Sequence, residues 1–529
     1  MHPPSTTPAT SPSSSSSSSS TAHSLAAAAA AALPPKLSSS QRYDHHHHHE
    51  DDDDDDHDDN DKLRRCHSRI LNLSLKVRIA SLAALCLASS LQQSFDTSPH
   101  LVALGLDPRN RHGLSFGAAA PLLALVRWDT VYFLSIASPT PAPSHPDLSL
   151  PASGGYSHEQ MLAFQPGIVA LLRITGYLSL GGAGGPWSPL SALALTTLLA
   201  NVATWIAPLI LFRLIWAHTA SLRLAWLSAA LSLICPAAGT ALSSPTPEPF
   251  YSLFALLGML SLAPPSSSHS QSQRGSSSSP SPSPSPSPSP SPSPSPSPSP
   301  EPKPSPAAIP TRDTFTRRLC AACCFAIATS FRSNGVLLSG FILWDLFWAP
   351  AQDAAGNSGA LAALVDLSEA ALLVPLSISP FLLTQVWAFG RFCVDTASSL
   401  DAGGTRPWCR AGSRSVYAFV QDQYWDVGFL RYWTWSQLPN FILASPVLAL
   451  CIYTLVCYSA RSDVVEIVHV QISLRFASPG GMPLLWYGLA SSFLHPPRSW
   501  PRLLDAALLW LAGWYVCSIL LYSGFYPPA

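Results

Sequence analysis

The sequence predicts an all-α polytopic membrane protein with about eight to ten transmembrane helices, preceded by a low-complexity tail and interrupted by a Ser-Pro loop. Three observations carry this. Of 529 residues, 47% are apolar and only 11% charged, against about 25% charged in an ordinary soluble domain. Uncharged runs recur at 189–212, 224–247, 370–390, 432–460 and 506–529, and crossing a bilayer takes about 20 mostly apolar residues. The charge is also segregated. Ten of the thirty acidic residues lie in "EDDDDDDHDDND" (50–61), so residues 62–529 hold 27 basic and 19 acidic side chains, dispersed between apolar runs. That dispersion excludes a nucleic-acid-binding face. A basic excess of this kind marks cytoplasmic loops or contacts with anionic lipid and phosphate.

Taken in order, residues 1–61 combine poly-Ser (13–20), an Ala run (26–32), five His (45–49) and the Asp run. They cannot bury a core and are expected to be disordered. The Ala run has no basic flank, so it is not read as a cleaved signal peptide. The His and Asp residues read as a solvated tail rather than a metal site. Lys62, Arg64, Arg65, Arg69, Lys76 and Arg78 precede the apolar run 79–95, which places the N-terminus in the cytoplasm and residues 96–160 on the far side.

The first transmembrane half spans 62–263, with shorter apolar runs at 161–172 and 249–263. The Ser-Pro tract, 264–312, favours an extended polyproline-like form. Arg312, Arg317 and Arg318 keep it cytoplasmic. The second half, 313–529, adds runs at 319–331 with 333–344 and at 483–494. It carries a far-side loop at about 391–436, in which Arg391, Arg406, Arg410 and Arg414 count against the orientation. Cys393 and Cys409 share that loop, where a disulfide is one outcome and two free thiols the other. Cys320, Cys323 and Cys324 lie on an apolar helix and read as small hydrophobes rather than zinc ligands. The triplet Asn72-Leu73-Ser74 falls on the cytoplasmic side, where glycosylation is not expected.

Four polar clusters interrupt the apolar body. In "RWDTVYF" (127–133), Asp129 stands beside Arg127 and Trp128, the pattern of a general base at a membrane surface with a neighbouring cation. An interfacial aromatic belt with a surface ion pair fits the same spacing. In "YSHEQMLAFQPG" (156–167), His158 and Glu159 open an apolar run. Glu159 is either a second functional carboxylate or an acid at a helix start. In "FRSNG" (331–335), Arg332 is flanked by 13 uncharged residues before and 12 after. Arg at mid-bilayer costs about 2.5–3.5 kcal/mol even on a lenient scale. Either Asn334 and Gly335 break the helix so that Arg332 reaches water, or Arg332 lines a polar cavity holding an anion such as phosphate. In "QDQYWDVGFLRYWTWSQLPNF" (421–441), Trp425, Arg431, Tyr432, Gln437 and Asn440 offer aromatic faces and polar groups suited to a sugar-plus-phosphate ligand.

Outside the tail there is no Asp-x-Asp pair, no Walker loop, no G-x-G-x-x-G after a strand and no Asp-His-His-Cys box. A soluble nucleotide donor is therefore excluded in favour of one held in the membrane, and neither a metal nor another cofactor is implied. From the residues alone a multi-span transporter remains the rival, although no internal repeat relates 62–263 to 313–529.

These clusters, with "PEPFYSLFALLG" (247–258) and the closing "GFYP" (524–527), resemble the PIG-V-type GPI mannosyltransferases. The resemblance runs in order from about residue 65 to the C-terminus, omitting the Ser-Pro tract. It implies a GT-C-like fold in the endoplasmic reticulum membrane. It implies transfer of the second mannose, α-1,6, from dolichyl-phosphate-mannose to a GPI lipid precursor, with inversion, on the lumenal side. A small membrane subunit stays an open partner. Another dolichyl-phosphate-sugar transferase is the nearer rival, but one such as a protein O-mannosyltransferase needs a large lumenal domain that this chain lacks. The resemblance implies Asp129 as base, with Glu159 second. Arg332 and Arg431 would meet the donor phosphate, and Trp425, Tyr432 and Gln437 the sugar or lipid. Arg127, Trp128, His158, Asn334 and Asn440 complete the candidate substrate contacts. Three positions depart from the family pattern: Glu248 follows Thr-Pro instead of Tyr-Ser or Tyr-Thr, Gln165 replaces an apolar or small residue, and Asp426 replaces Asn.

Overall fold

A computed structural model describes residues 52–92, 124–127, 129–139, 156, 159–178, 187–263, 312–348, 360–394, 406–409, 415–426, 434–435, 438–458, 478–494 and 501–524. Among them there is no strand. The helices are α1 (Asp52–Leu91), α2 (Asp129–Ala137), α3 (Pro166–Tyr177), α4 (Pro189–Thr219), α5 (Leu222–Ser232), α6 (Glu248–Leu262), α7 (Arg312–Phe331), α8 (Ser339–Leu343), α9 (Ala360–Phe389), α10 (Val416–Gln423), α11 (Leu438–Tyr458), α12 (Pro483–Leu494) and α13 (Pro501–Ser523).

Among the described residues, four segments are long and apolar enough to cross a membrane: Asn60–Leu91, Pro189–Thr219, Ala363–Cys393 and Asp505–Ser523. Shorter apolar helices occupy Leu222–Ser232, Glu248–Leu262 and Ser333–Phe347. The chain is a multi-pass membrane protein, and its exposed surface agrees. Along α9, Leu364, Leu367, Leu372, Leu382, Leu383 and Val386 all face outward, a face that hydrocarbon accommodates and water does not.

Two expected elements differ. First, α1 starts at Asp52, inside the stretch read as tail. Acidic residues are favoured in the first turns of a helix by its dipole. Second, the run 224–247 is not one span. Helix α5 ends at Ser232 and residues 233–247 form buried turns. Pro236 cannot continue the helix, and the hydroxyls of Thr240, Ser244 and Thr246 bond to carbonyls of the turn itself. The run 319–344 breaks at Arg332, one of the two outcomes its residues allow, with the backbone extended at φ −143°, ψ 134°.

Helices α6 and α7 run antiparallel, and an arginine closes each end of the pair. Arg317, near the start of α7, donates to the carbonyls of Ser261, Leu262 and Ala263 at the end of α6. Arg332, just past the end of α7, reaches Glu248 at the start of α6. Next to Arg317, buried Arg318 bonds Asp345 at 2.6 Å and Glu369 at 2.9 Å, which ties α7 to α9. The twenty residues of α7 separate the two ends by about 30 Å. The core between them is filled by Trp226, Trp486, Phe212 and Phe325, each below 2% exposed.

Candidate active site

Arg332 is the organising side chain of one end of the bundle. Its Nη1 donates to Glu248 Oε1 at 2.7 Å, and the carboxylate side chain is only 3% exposed against 19% for the guanidinium. The expected helix break occurs, but the group that meets Arg332 is an internal carboxylate rather than only water or a captured anion. Gly335 makes the turn. Its amide returns to Arg332 O at 2.9 Å, and a Cβ there would lie 2.5 Å from Thr329 Cα. Asn334 sits in the same 3-10 turn, half-buried. Phe331 stacks on Phe250 with ring centroids 4.9 Å apart, which holds the ends of α6 and α7 together.

Asp129 is the first residue of α2, where an acid is favoured by the helix dipole. Its neighbour Arg127 is buried and turned to the backbone. It donates to Tyr522 O at 2.8 Å, Ser523 O at 2.9 Å and Val126 O at 2.9 Å, capping the C-terminus of α13. These bonds place Arg127 as the anchor that sets where α2 begins. Trp128 and His158 lie outside the described residues.

Glu159 opens a 3-10 turn, Glu159–Ala163. Its Oε1 lies 3.5 Å from Arg406 Nη1, and its Oε2 accepts from Tyr424 Oη at 3.4 Å. Burial, then the Glu159 charge, pushes the Tyr424 hydroxyl above its ordinary pKa. Arg406 lies over the Phe392 ring, 4.9 Å from its centroid. The Cys393–Cys409 disulfide forms beside it, so of the two outcomes left open by the sequence the paired one holds.

The short helix α10 joins these parts. Near its start, Tyr417 Oη accepts from Ser333 Oγ at 2.8 Å, one residue from Arg332. Just beyond its end, Tyr424 meets Glu159. Gln385 of α9 fixes its N-terminus, its Oε1 accepting from Ser415 Oγ and Tyr417 N, both at 3.1 Å. Trp425 follows and lies 6.1 Å from the Phe164 ring, which in turn contacts Tyr132 and Phe133 of α2. Glu159, Arg332, Trp425 and the helix that starts with Asp129 therefore occupy one end of the bundle. Arg431, Tyr432, Gln437 and the side chain of Asn440 lie outside the described residues. Among those described, no group of three His, Cys, Asp or Glu side chains is disposed to hold a metal ion.

The sequence reading did not place Glu248, Arg406, Tyr417, Tyr424 or Gln385 in the site. The departure at Glu248 was the one signal that pointed to any of them. The partners lie far apart along the chain, 84 residues for Arg332 and Glu248 and 265 for Tyr424 and Glu159.

Comparison with known proteins gives a consistent result. Residues 68–465 match the family model described as mannosyltransferase (PIG-V). A GPI mannosyltransferase 2 of Cryptococcus neoformans is 25% identical over 507 residues, covering 88% of this chain and 97% of that one. A GPI alpha-1,6-mannosyltransferase 2 of Cricetulus griseus is 35% identical over 155 residues, covering 24% of this chain and 29% of that one. Among solved structures, the oligosaccharyltransferase AglB of Archaeoglobus fulgidus aligns with a TM-score of 0.40 at 12% identity, over 85% of this chain and 56% of that one. That likeness is too distant to argue from.

Proposed function

The chain belongs to the PIG-V family of mannosyltransferases, and from that premise we propose that it adds the second mannose, α-1,6, to a GPI precursor in the lumen of the endoplasmic reticulum. The donor is dolichyl-phosphate-mannose, and the chain's N-terminus is cytoplasmic. The observation that carries this reading is the gathering of carboxylates and guanidinium groups at one end of the bundle, with Arg332 held on Glu248 and Glu159 met by Arg406.

The chemistry follows from the charges. A β-linked donor and an α-linked product require a single in-line displacement. The acceptor 6-hydroxyl attacks the mannose C1 and its proton passes to a carboxylate. The C1–O bond to phosphate breaks, and its electron pair leaves with dolichyl phosphate. Asp129 is the base in this reading and Glu159 the second choice. Arg332 and Arg431 offset the charge that develops on the departing phosphate, the kind of preorganised stabilisation that carries much of such catalysis. Trp425, Tyr432 and Gln437 hold the sugar or lipid. No step calls for a metal.

The test is complementation of cells that lack the second mannosylation step, followed by profiling of their GPI precursors. Expression of this chain should clear the single-mannose precursor. Its persistence despite good expression would overturn the assignment.

A further inference from the structure

One buried charged group at this end of the bundle, Glu248, is not used by the transfer reaction above. Glu248 is 3% exposed and opens α6, where the positive end of the helix dipole favours its ionised form. The turn that delivers it, 233–247, is buried except for half-buried Ile234 and tied to three other helices. Arg78 of α1 donates to Ala238 O at 2.6 Å. Asn201 and Thr204 of α4 donate to Ser243 O and Leu242 O at 3.1 and 2.8 Å. Tyr522 of α13 donates to Ser244 Oγ at 2.8 Å. Irregular backbone at membrane depth persists only where protein buries it or a cavity lines it, and here each tie fixes the residues that run into Glu248.

Arg332 sits in the extended break after α7, its backbone held locally, by Arg332 N–H to Ala328 O at 3.0 Å and Gly335 N–H to Arg332 O at 2.9 Å. A free Arg side chain samples many rotamers, and its guanidinium is rigid and planar. Holding Nη1 therefore restricts the positions and orientations open to the whole fork. The exposure gradient runs the right way, with the carboxylate deep and the guanidinium partly open.

We propose that Glu248 is a positioning residue of the transfer site: it grips Arg332 Nη1 from a braced helix start and so aims the guanidinium at the donor phosphate. This rests on the reading of Arg332 as the phosphate-binding cation. Glu248 touches no substrate and acts through Arg332.

The experiment uses the full chain in membranes, with dolichyl-phosphate-mannose varied at fixed acceptor and the acceptor varied at fixed donor. Glu248→Gln keeps an acceptor oxygen for Nη1 and removes the charge. It should raise the donor KM about tenfold, the scale of one charge-assisted hydrogen bond, and leave the acceptor KM unchanged. Glu248→Ala should raise the donor KM further. Arg332→Gln tests the underlying reading. If it leaves the donor KM unmoved, the phosphate role fails and takes the proposal with it. If it raises the donor KM while both Glu248 variants keep the wild-type value and lose only the amount of active protein, Glu248 is structural and the positioning role is overturned. Should Glu248→Ala fail to accumulate, Glu248→Gln decides alone.

Discussion

Tyr424 and Glu159, 265 residues apart in the chain, meet at 3.4 Å, and Arg406 approaches the other carboxylate oxygen at 3.5 Å. Both partners orient the carboxylate. Both contacts are long and partly open to solvent, so each single loss should be small. Tyr424→Phe and Arg406→Gln are each expected to lower transfer by less than about tenfold, below the roughly 1.5–3 kcal/mol of well-formed hydrogen bonds to charged groups. The measurement is mannose transfer in membranes normalised to protein.

Asp129 and Glu159 compete for the role of base, and single isosteric variants separate them. Asp129→Asn removes proton-accepting capacity and keeps the shape of the α2 start. Its transfer rate should fall by about 10²–10⁴, the range of general base catalysis, with expression unchanged. Glu159→Gln should fall less. Equal or reversed losses would transfer the role to Glu159.

What the sequence made legible was what depends on local pattern. The polytopic class followed from run length and charge depletion, and the helix break beside Gly335 followed from residue type. Arg332 stood out because its position in an apolar run is costly. Its partner did not, because Glu248 is 84 residues away and nothing local links an acid at one helix start to a cation at another helix end. Arg127 shows the converse. Its spacing to Asp129 suggests a surface pair, yet its bonds go to carbonyls of α13, 395 and 396 residues on. The run 224–247 was misleading for a different reason. Ser, Thr, Pro and Ala are uncharged, so the run reads as a span, while their hydroxyls and the proline ring favour turns. At Asp426 the backbone is left-handed, φ 49°, where Asn and Asp are the best tolerated non-glycine residues, so this departure from the family is conformationally mild.

The Cys393–Cys409 bridge closes a loop with a sequence separation of 16, and a loop of that size contributes about 3 kcal/mol in the chain-entropy account. Cys393→Ser should lower the thermal midpoint of the detergent-solubilised protein and reduce transfer by loosening Arg406, which lies on the neighbouring Phe392 ring. Thiol labelling with and without reductant checks the bond directly. Two additional labelled cysteines should appear only after reduction.

Gly167 marks the closest approach of α3 to the end of α7. A Cβ there would stand 2.7 Å from Ser330 O and 2.9 Å from Ser330 C. The obstacle is backbone, which cannot rotate away as a side chain tip does. Gly167→Ala should therefore cost about 1–3 kcal/mol, the scale of overpacking, despite the gain in helix propensity. Lower yield and a lower thermal midpoint are the expected readouts, and a wild-type midpoint would contradict the close packing.

Arg318 lies at the end of α7 opposite Arg332 and holds three carboxylates, Asp345 at 2.6 Å, Glu369 at 2.9 Å and Asp366 at 3.9 Å. Removing one member of a buried ionic group leaves an uncompensated charge and costs about 3–5 kcal/mol. In Arg318→Leu the remaining acids would also repel one another, so the folded yield should drop sharply. Replacing the group together, Arg318→Leu with Asp345→Asn and Glu369→Gln, removes the strain along with the attraction and should recover most of the stability. The cluster is separated from the site by the length of α7. The specific activity of whatever protein folds should therefore match wild type, with both KM values unchanged. A fall in specific activity of the combined variant would show that the two ends of α7 are coupled, and would require that Arg318 help set the position of Arg332.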